Sequence, residues 1–339
     1  MTTNKGDLGE EAFQLAIATI MKHSSVIKLN PERIAELVSV IPERPQETPS
    51  LTLPLRFAEI SEEVNFACLL HLLSFGAFFR EHIAAICGNA PNMYEHALRG
   101  VLSMFLYGKL DADRLINISI TDIESAFQLP LSKEERLDNM PAFINVDAPT
   151  KQFASDIVKV LHETGRLLNT HRVASMGEYV MQFLSSHQRE NAAITASELA
   201  LDLAKTFPAF NDKPFYSKAC GLLCTLYWSF KDRIPPMRFR HMSKLCPESD
   251  AEMVDFFYDR GVIELEGDAD KVPIAVLRSA VVVAVRQLQM NLQSSRQLSL
   301  SVVELNSILH EMHRSDVKAA SRDGSPPDRP YCIPPSFYL

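Results

Sequence analysis

Ala280-Val281-Val282-Val283-Ala284-Val285 is the stretch on which the fold class turns. Four valines in six residues favour a buried strand by propensity, because a side chain branched at Cβ packs well on a pleated surface. The flanks argue otherwise. From Pro273 to Gln293 neither glycine nor a second proline interrupts the run. A stretch of that length reads as a buried helix, since a buried strand ends after ~4–8 residues. With this segment helical, only Val262-Ile263-Glu264-Leu265 is left as a short strand candidate.

Outward from that segment the helical period dominates. Phe13, Ile17 and Ile20 mark a first helix, and Asn30-Pro31-Glu32 opens a second, with Asn30 as cap and Pro31 in the first turn. Prolines 42, 45, 49 and 54 make residues 42–55 an extended connector. Ser61-Glu62-Glu63-Val64 starts a helix with acids at the positive end of its dipole, and Phe66, Leu69, Leu70, Leu73 and Ala77 then recur at three and four. Further helices are expected at 92–107, 111–116, 121–127, 150–168, 176–186, 195–206 and 215–230. Residues 130–149, rich in Pro, Asp and Asn, read as a loop. Prolines including 326, 327, 330 and 334 precede the aromatic end Phe337-Tyr338, which reads as a docked terminus. No repeat of fixed period is present, which disfavours a solenoid. The expected architecture is one all-α multi-helix domain, with residues 1–50 as N-terminal helices and connector, forming one compact unit with the helical domain of 51–339.

Composition sets outer limits. Apolar residues are 46% of the 339, enough for a sizeable core, and only 12 glycines weigh against a Rossmann-type or all-β fold. A net charge of −8 argues against direct nucleic-acid binding. The six cysteines form no CxxC pair and read as buried thiols of a reducing compartment. The polar start Met1-Thr2-Thr3-Asn4-Lys5-Gly6-Asp7 leads to no signal-type apolar segment, and no apolar run is long enough to span a bilayer. A cytoplasmic or nucleocytoplasmic protein without a membrane partner is expected.

Three stretches carry a resemblance. Glu62-Glu63-Val64-Asn65-Phe66 opens a helix that reaches Ser74-Phe75-Gly76. Pro247-Glu248-Ser249-Asp250 precedes an apolar helix ending at Gly261. Glu304-Leu305-Asn306-Ser307-Ile308-Leu309 runs on to Asp316. In this order they resemble the queuosine salvage protein family, as a divergent fungal-type member. Glu163-Thr164-Gly165, Met176-Gly177, Phe215-Tyr216-Ser217-Lys218-Ala219 and Phe337-Tyr338 add to the likeness, which covers the chain from about residue 50 onward. Asp250 stands eleven residues before Gly261, the interval between the family's catalytic aspartate and its glycine. The sequence also departs from the family. Glu248 stands where an aromatic is usual, Ala251-Glu252-Met253-Val254 replaces the residues that follow the aspartate, and Cys220 takes the place of a glutamine.

The resemblance implies a fold similar to the helical DNA glycosylases. It also implies an N-glycosyl hydrolase that splits queuosine 5'-phosphate into queuine, for salvage into tRNA, and ribose 5-phosphate. Asp250 would be the catalytic carboxylate under the anomeric carbon. Asp316 would grip the base, Phe75, Phe78 or Trp228 would stack on it, and Lys218, or failing it Arg238, Arg240 or Lys244, would meet the phosphate. The chemistry requires no cofactor and no metal. By residue type alone the readings are plainer. Asp250 is a helix cap, Asp316 beside Arg314 and Lys318 is a solvated ion-pair acid, and Phe75, Phe78 and Trp228 are core. His310-Glu311-Met312-His313, with Glu304 nearby, misses the spacing of four that a zincin-type site needs. The alternatives to hydrolysis are a pocket that binds queuine or a related nucleotide without turnover, and a helical scaffold with no ligand.

Overall fold

The computed structural model describes residues 7–45, 55–87, 93–137, 142–189, 194–266 and 272–323. Its elements in chain order begin with α1 (Leu8–Lys22), β1 (Ile27–Leu29), α2 (Pro31–Val40), α3 (Ile60–Leu73), α4 (Arg80–Cys87), α5 (Met93–Leu106), α6 (Ala112–Asn117) and α7 (Ile120–Phe127). A hairpin follows, β2 (Ser132–Arg136) and β3 (Phe143–Asp147), and then α8 (Thr150–His171), α9 (Met176–Arg189), α10 (Ala196–Thr206), α11 (Ser217–Phe230) and α12 (Ala251–Asp259). The described chain closes with β4 (Ile263–Leu265), α13 (Ile274–Arg296) and α14 (Val302–Asp323). The protein is mostly helical, as the periodicity predicts. No single helix among the described residues is long and apolar enough to cross a membrane.

The described residues group into two compact units, one of residues 7–45 and those from 184 to 323, the other of those between 55 and 183. In the first unit α13 is the hub, and α1, α2, α12 and α14 pack on it. The valine-rich stretch is the centre of that helix, with every residue from Val281 to Val285 buried. Burying one such side chain contributes about 1.5–3 kcal/mol, which outweighs the few tenths that a β-branched residue loses in helix propensity. Leu37, Phe257, Leu277 and Leu305 belong to the same apolar cluster. The caps are built as read. Asn30 Oδ1 accepts from the Glu32 and Arg33 N–H groups at 3.0 and 3.1 Å, with Pro31 in the first turn of α2. Ser301 and Glu304 exchange hydrogen bonds at the start of α14.

In the second unit α3 is buried along its length from Val64 to Leu73. Asn65 Nδ2 donates to the Leu110 carbonyl at 3.0 Å. Gly177 is required by close approach, because a Cβ there would collide with the Ser61 carbonyl. A ring cluster closes this unit's core: Phe75 meets Phe153 edge-on at 5.6 Å and Phe79 stacks on Phe153 at 5.2 Å.

One reading needs correction. Residues 130–149 are not a plain loop, since β2 pairs antiparallel with β3, Ser132 opposite Asp147 and Arg136 opposite Phe143. Ser132-Lys133-Glu134-Glu135-Arg136 is exposed throughout, so no apolar alternation betrays it. Val262-Ile263-Glu264-Leu265 does supply a strand, β4, and its partner β1 was not expected. The reading of a docked aromatic terminus falls on residues outside the described ones, as do prolines 49 and 54 of the connector.

Candidate active site

Asp250 caps α12. Its backbone is extended (φ −75°, ψ 178°), and Oδ1 accepts the Met253 N–H at 2.9 Å. Gly261 ends the α12 turn at φ +67°, a left-handed conformation that suits glycine. The residue before the cap is fixed by a buried network. Ser249 donates its N–H to Ser217 Oγ (3.1 Å), and its carbonyl accepts from Arg278 Nε (2.9 Å). The two serine hydroxyls lie 3.0 Å apart. Arg278 Nη2 donates to Asp212 Oδ2 at 2.6 Å and to Ser217 Oγ at 3.0 Å. The Ser217 N–H completes the ring onto Asp212 Oδ2 at 2.9 Å. The Asp212 and Arg278 side chains are only 1% and 6% exposed, and the guanidinium lies 5.2 Å from the Phe215 ring centroid. Residues of α11, α13 and the 212–216 turn therefore hold the backbone that presents Asp250.

The Asp250 side chain is part-buried, and so are its two neighbours. His310 Nε2, from α14, lies 3.2 Å from Glu248 Oε2. Donor atoms of Glu248, Asp250 and His310 all fall within 4.8 Å of one another. Burial raises the Asp250 carboxyl above its ordinary range and Glu248 adds to that, while His310, the Met253 N–H and Arg278 pull it back. Burial also works against a charged His310. The hydrogen bond and charge of Glu248, with Asp250 and Glu252 behind it, win and lift the imidazole to about 9. The trio is thus two acids set around an imidazole that they favour in its charged form. A set of this kind could in principle receive a divalent cation, which would first have to displace the His310 proton, because an imidazolium has no lone pair to offer.

Among the residues singled out by sequence, Lys218 belongs to this neighbourhood. It is 8% exposed on α11, next in the chain to Ser217. Burial, with Arg278 adding, pulls its ammonium down to about 7 against the opposing charge of Asp212. Asp316 stands elsewhere. Both its oxygens accept from Arg260, at 2.8–2.9 Å, at the other end of α12, about 15 Å along that helix from Asp250. Phe75 is 3% exposed and committed to Phe153, and Phe78 is 38% exposed beside Phe79. Both belong to the second unit. Trp228 carries the Lys231 ammonium 3.9 Å from its ring centroid. Lys244 pairs with Asp7 at 3.6 Å and Arg238 with Asp232 at 3.4 Å, while Arg240 is exposed.

A cavity of about 300 Å³ also lies in the first unit, lined among others by Phe13, Lys244, Pro247, Arg286 and Gln289. Its cations are matched by acids, Lys244 by Asp7 and Arg286 by Glu10.

Sequence reasoning missed Asp212, Ser217, Ser249 and Arg278, and it took Glu248 as a departure and His310 as part of a failed metal motif. A signal existed for Arg278, a lone guanidinium inside the apolar run of α13. The Glu248–His310 pairing joins residues 62 positions apart and left none.

No protein-family model matches the chain, and no curated protein matches it.

Proposed function

We propose that the protein hydrolyses the N-glycosidic bond of queuosine 5'-phosphate, with Asp250 as the carboxylate beneath the anomeric carbon. The observation that carries this reading is Asp250 itself. Its carboxylate is part-buried, anchored by one oxygen to the first turn of α12, and backed by the positive groups of His310 and Arg278. That is what stabilising an oxocarbenium-like ribose requires: a fixed negative charge in a site with little water, preorganised before the reaction.

The bond between C1' and the base nitrogen breaks, and its electron pair leaves with the base. Asp250 offsets the positive charge that grows on C1', either across a gap or by adding covalently. Water then supplies hydroxide to C1' and the balancing proton to the departing base. The products are queuine and ribose 5-phosphate. Asp316, bound by Arg260 at the other end of α12, takes no part in this reading. Lys218 contributes positive charge at the buried side of the site for the phosphate. The assay is incubation with queuosine 5'-phosphate followed by chromatography. Appearance of free queuine supports the reading, and intact nucleotide after prolonged incubation refutes it.

Glu248 favours a second reading. A second carboxylate beside Asp250 makes full ionisation harder, which suits a pocket that binds queuine or a related nucleotide without turning it over. Calorimetry set beside the turnover assay separates the two, since heat of binding without base release selects the second.

A further inference from the structure

We infer that Glu248, Asp250 and His310 form a binding site for one divalent cation of the Zn²⁺ or Mn²⁺ type. The binding stands on geometry alone, and its part in catalysis rests on the role given to Asp250 above.

The donor set points to the ion. Glu248 and Asp250 flank Ser249 before α12, and His310 comes from α14. Their ligand atoms all lie within 4.8 Å of one another. Bonds of about 2.0–2.2 Å to zinc put neighbouring ligand atoms about 3.3 Å apart in a tetrahedron, and His310 Nε2 already stands 3.2 Å from Glu248 Oε2. One imidazole with two carboxylates suits Zn²⁺ or Mn²⁺, whereas Mg²⁺ and Ca²⁺ favour oxygen alone and Cu(I) favours sulfur. Three protein ligands leave a tetrahedral ion one open position, the pattern of catalytic rather than structural sites.

The frame behind the ligands is a second, separate observation. Ser249 is fully buried, with its N–H held by Ser217 and its carbonyl by Arg278. The segment that carries both carboxylates is therefore fixed before any ion arrives. Asp250 keeps Oδ1 on the Met253 N–H, and its second oxygen is the one to meet the ion. Leu305, Ile308 and Leu309 bury the turns of α14 that carry His310. The site is still reachable from solvent, since the Glu248 and His310 side chains are 18% and 23% exposed. Its surroundings do not oppose a cation. Arg278 and Lys218 both act on Asp212, the acid that offsets them, and Glu252 adds a further negative charge beside His310. The Cys220 and Cys224 thiols are kept protonated by burial and do not compete. His313 lies edge-on to Phe256 and is not a ligand.

In catalysis the ion would supply the hydroxide that hydrolysis needs. A water at the open position loses its proton to solvent readily, because zinc brings the pKa of bound water down to about 7. The hydroxide bonds to C1' as the bond from C1' to the base nitrogen breaks. The electron pair leaves with the base, which takes a proton from solvent. The charge still suits an oxocarbenium-like ribose. The two carboxylates cancel the ion, and the hydroxide leaves the site negative.

The test is calorimetric titration of the chelator-treated full-length chain with Zn²⁺ and, separately, with Mn²⁺, which does not seek thiols. One ion per chain should bind with a Kd of about 10 µM or tighter and raise the melting temperature. His310→Gln and Glu248→Gln should each weaken binding by on the order of 100-fold, and His82→Gln, at an exposed histidine of the second unit, should leave it unchanged. Circular dichroism checks that each variant is folded, and either ligand variant alone decides the point. Chelated wild type should release queuine at least about tenfold more slowly, and one equivalent of ion should restore the rate.

Absence of saturable binding by wild type would overturn the inference, as would undiminished binding by the two ligand variants. An ion bound there while the chelated protein releases queuine at the full rate would overturn its catalytic part. If no form releases queuine, the functional reading fails, and the calorimetry still decides the cation site.

Discussion

His310 in the first unit and His96 in the second are both largely withdrawn from water, yet one is held charged and the other neutral. Around His310 stand Glu248, Asp250 and Glu252, and the imidazole is lifted to about 9. His96 sits 5.8 Å from the Phe127 ring and 6.3 Å from Phe153. Burial, helped by Arg99, lowers it to about 4. The contrast extends to the regions around them. The corner that presents Asp250 sets opposite charges against each other, Arg278 against Asp212 and His310 against Glu248, whereas burial in the ring cluster around Phe153 favours the neutral form of His96. Chemistry that depends on fixed charge belongs to the first environment and not to the second.

The largest break in this contrast comes from removing a partner in the polar corner. Asp212→Ala leaves Arg278 buried and unpaired, and should cost on the order of 3–5 kcal/mol in urea unfolding. A cost under about 1 kcal/mol would show that water reaches Arg278 and that the corner is not closed.

The neutral histidine gives the next effect. Because the folded state binds the His96 proton more weakly than the unfolded chain does, the unfolded chain takes up more protons as pH falls below about 6.5. The contribution is therefore whole above that pH and is lost progressively down to about 4, by roughly 3 kcal/mol in all. Urea midpoints at pH 7 and pH 4.5 measure it, and His96→Leu should flatten the dependence. His310 has the opposite sign. Its contribution is complete below the ordinary histidine value and fades as pH rises through about 9.

The smallest effect belongs to the pair left at the surface. Arg260 and Asp316 are 36% and 45% exposed. Despite two-point geometry, Asp316→Ala should change stability by no more than about 1 kcal/mol, and less in high salt. A loss near that of Asp212→Ala would mean that exposure is a poor guide to the two Arg–Asp pairs.

How much of this was legible follows the same division. Helices declare themselves wherever one face is apolar, so α3, α5 and α13 were readable, α13 through its length rather than its valines. The hairpin of β2 and β3 was not, because Ser132-Lys133-Glu134-Glu135-Arg136 buries nothing and is held by backbone pairing. β1 is too short to show alternation. Asp250 was legible twice over, as a helix cap and through the resemblance. What surrounds it was not, since Asp212, Ser217, Ser249, Arg278 and His310 come from separate segments that only folding brings together. Glu248 is the instructive case. In the sequence it replaces an expected aromatic, and in the fold it acquires a counter-charge from α14.

The most direct test of the central claim is Asp250→Asn. Asparagine caps a helix about as well as aspartate, so the change removes the charge and keeps the hydrogen bond to Met253. Its melting temperature should stay within a degree or two of wild type, while release of queuine from queuosine 5'-phosphate falls by on the order of 10³. Release at the wild-type rate from a folded Asp250→Asn protein would contradict the account.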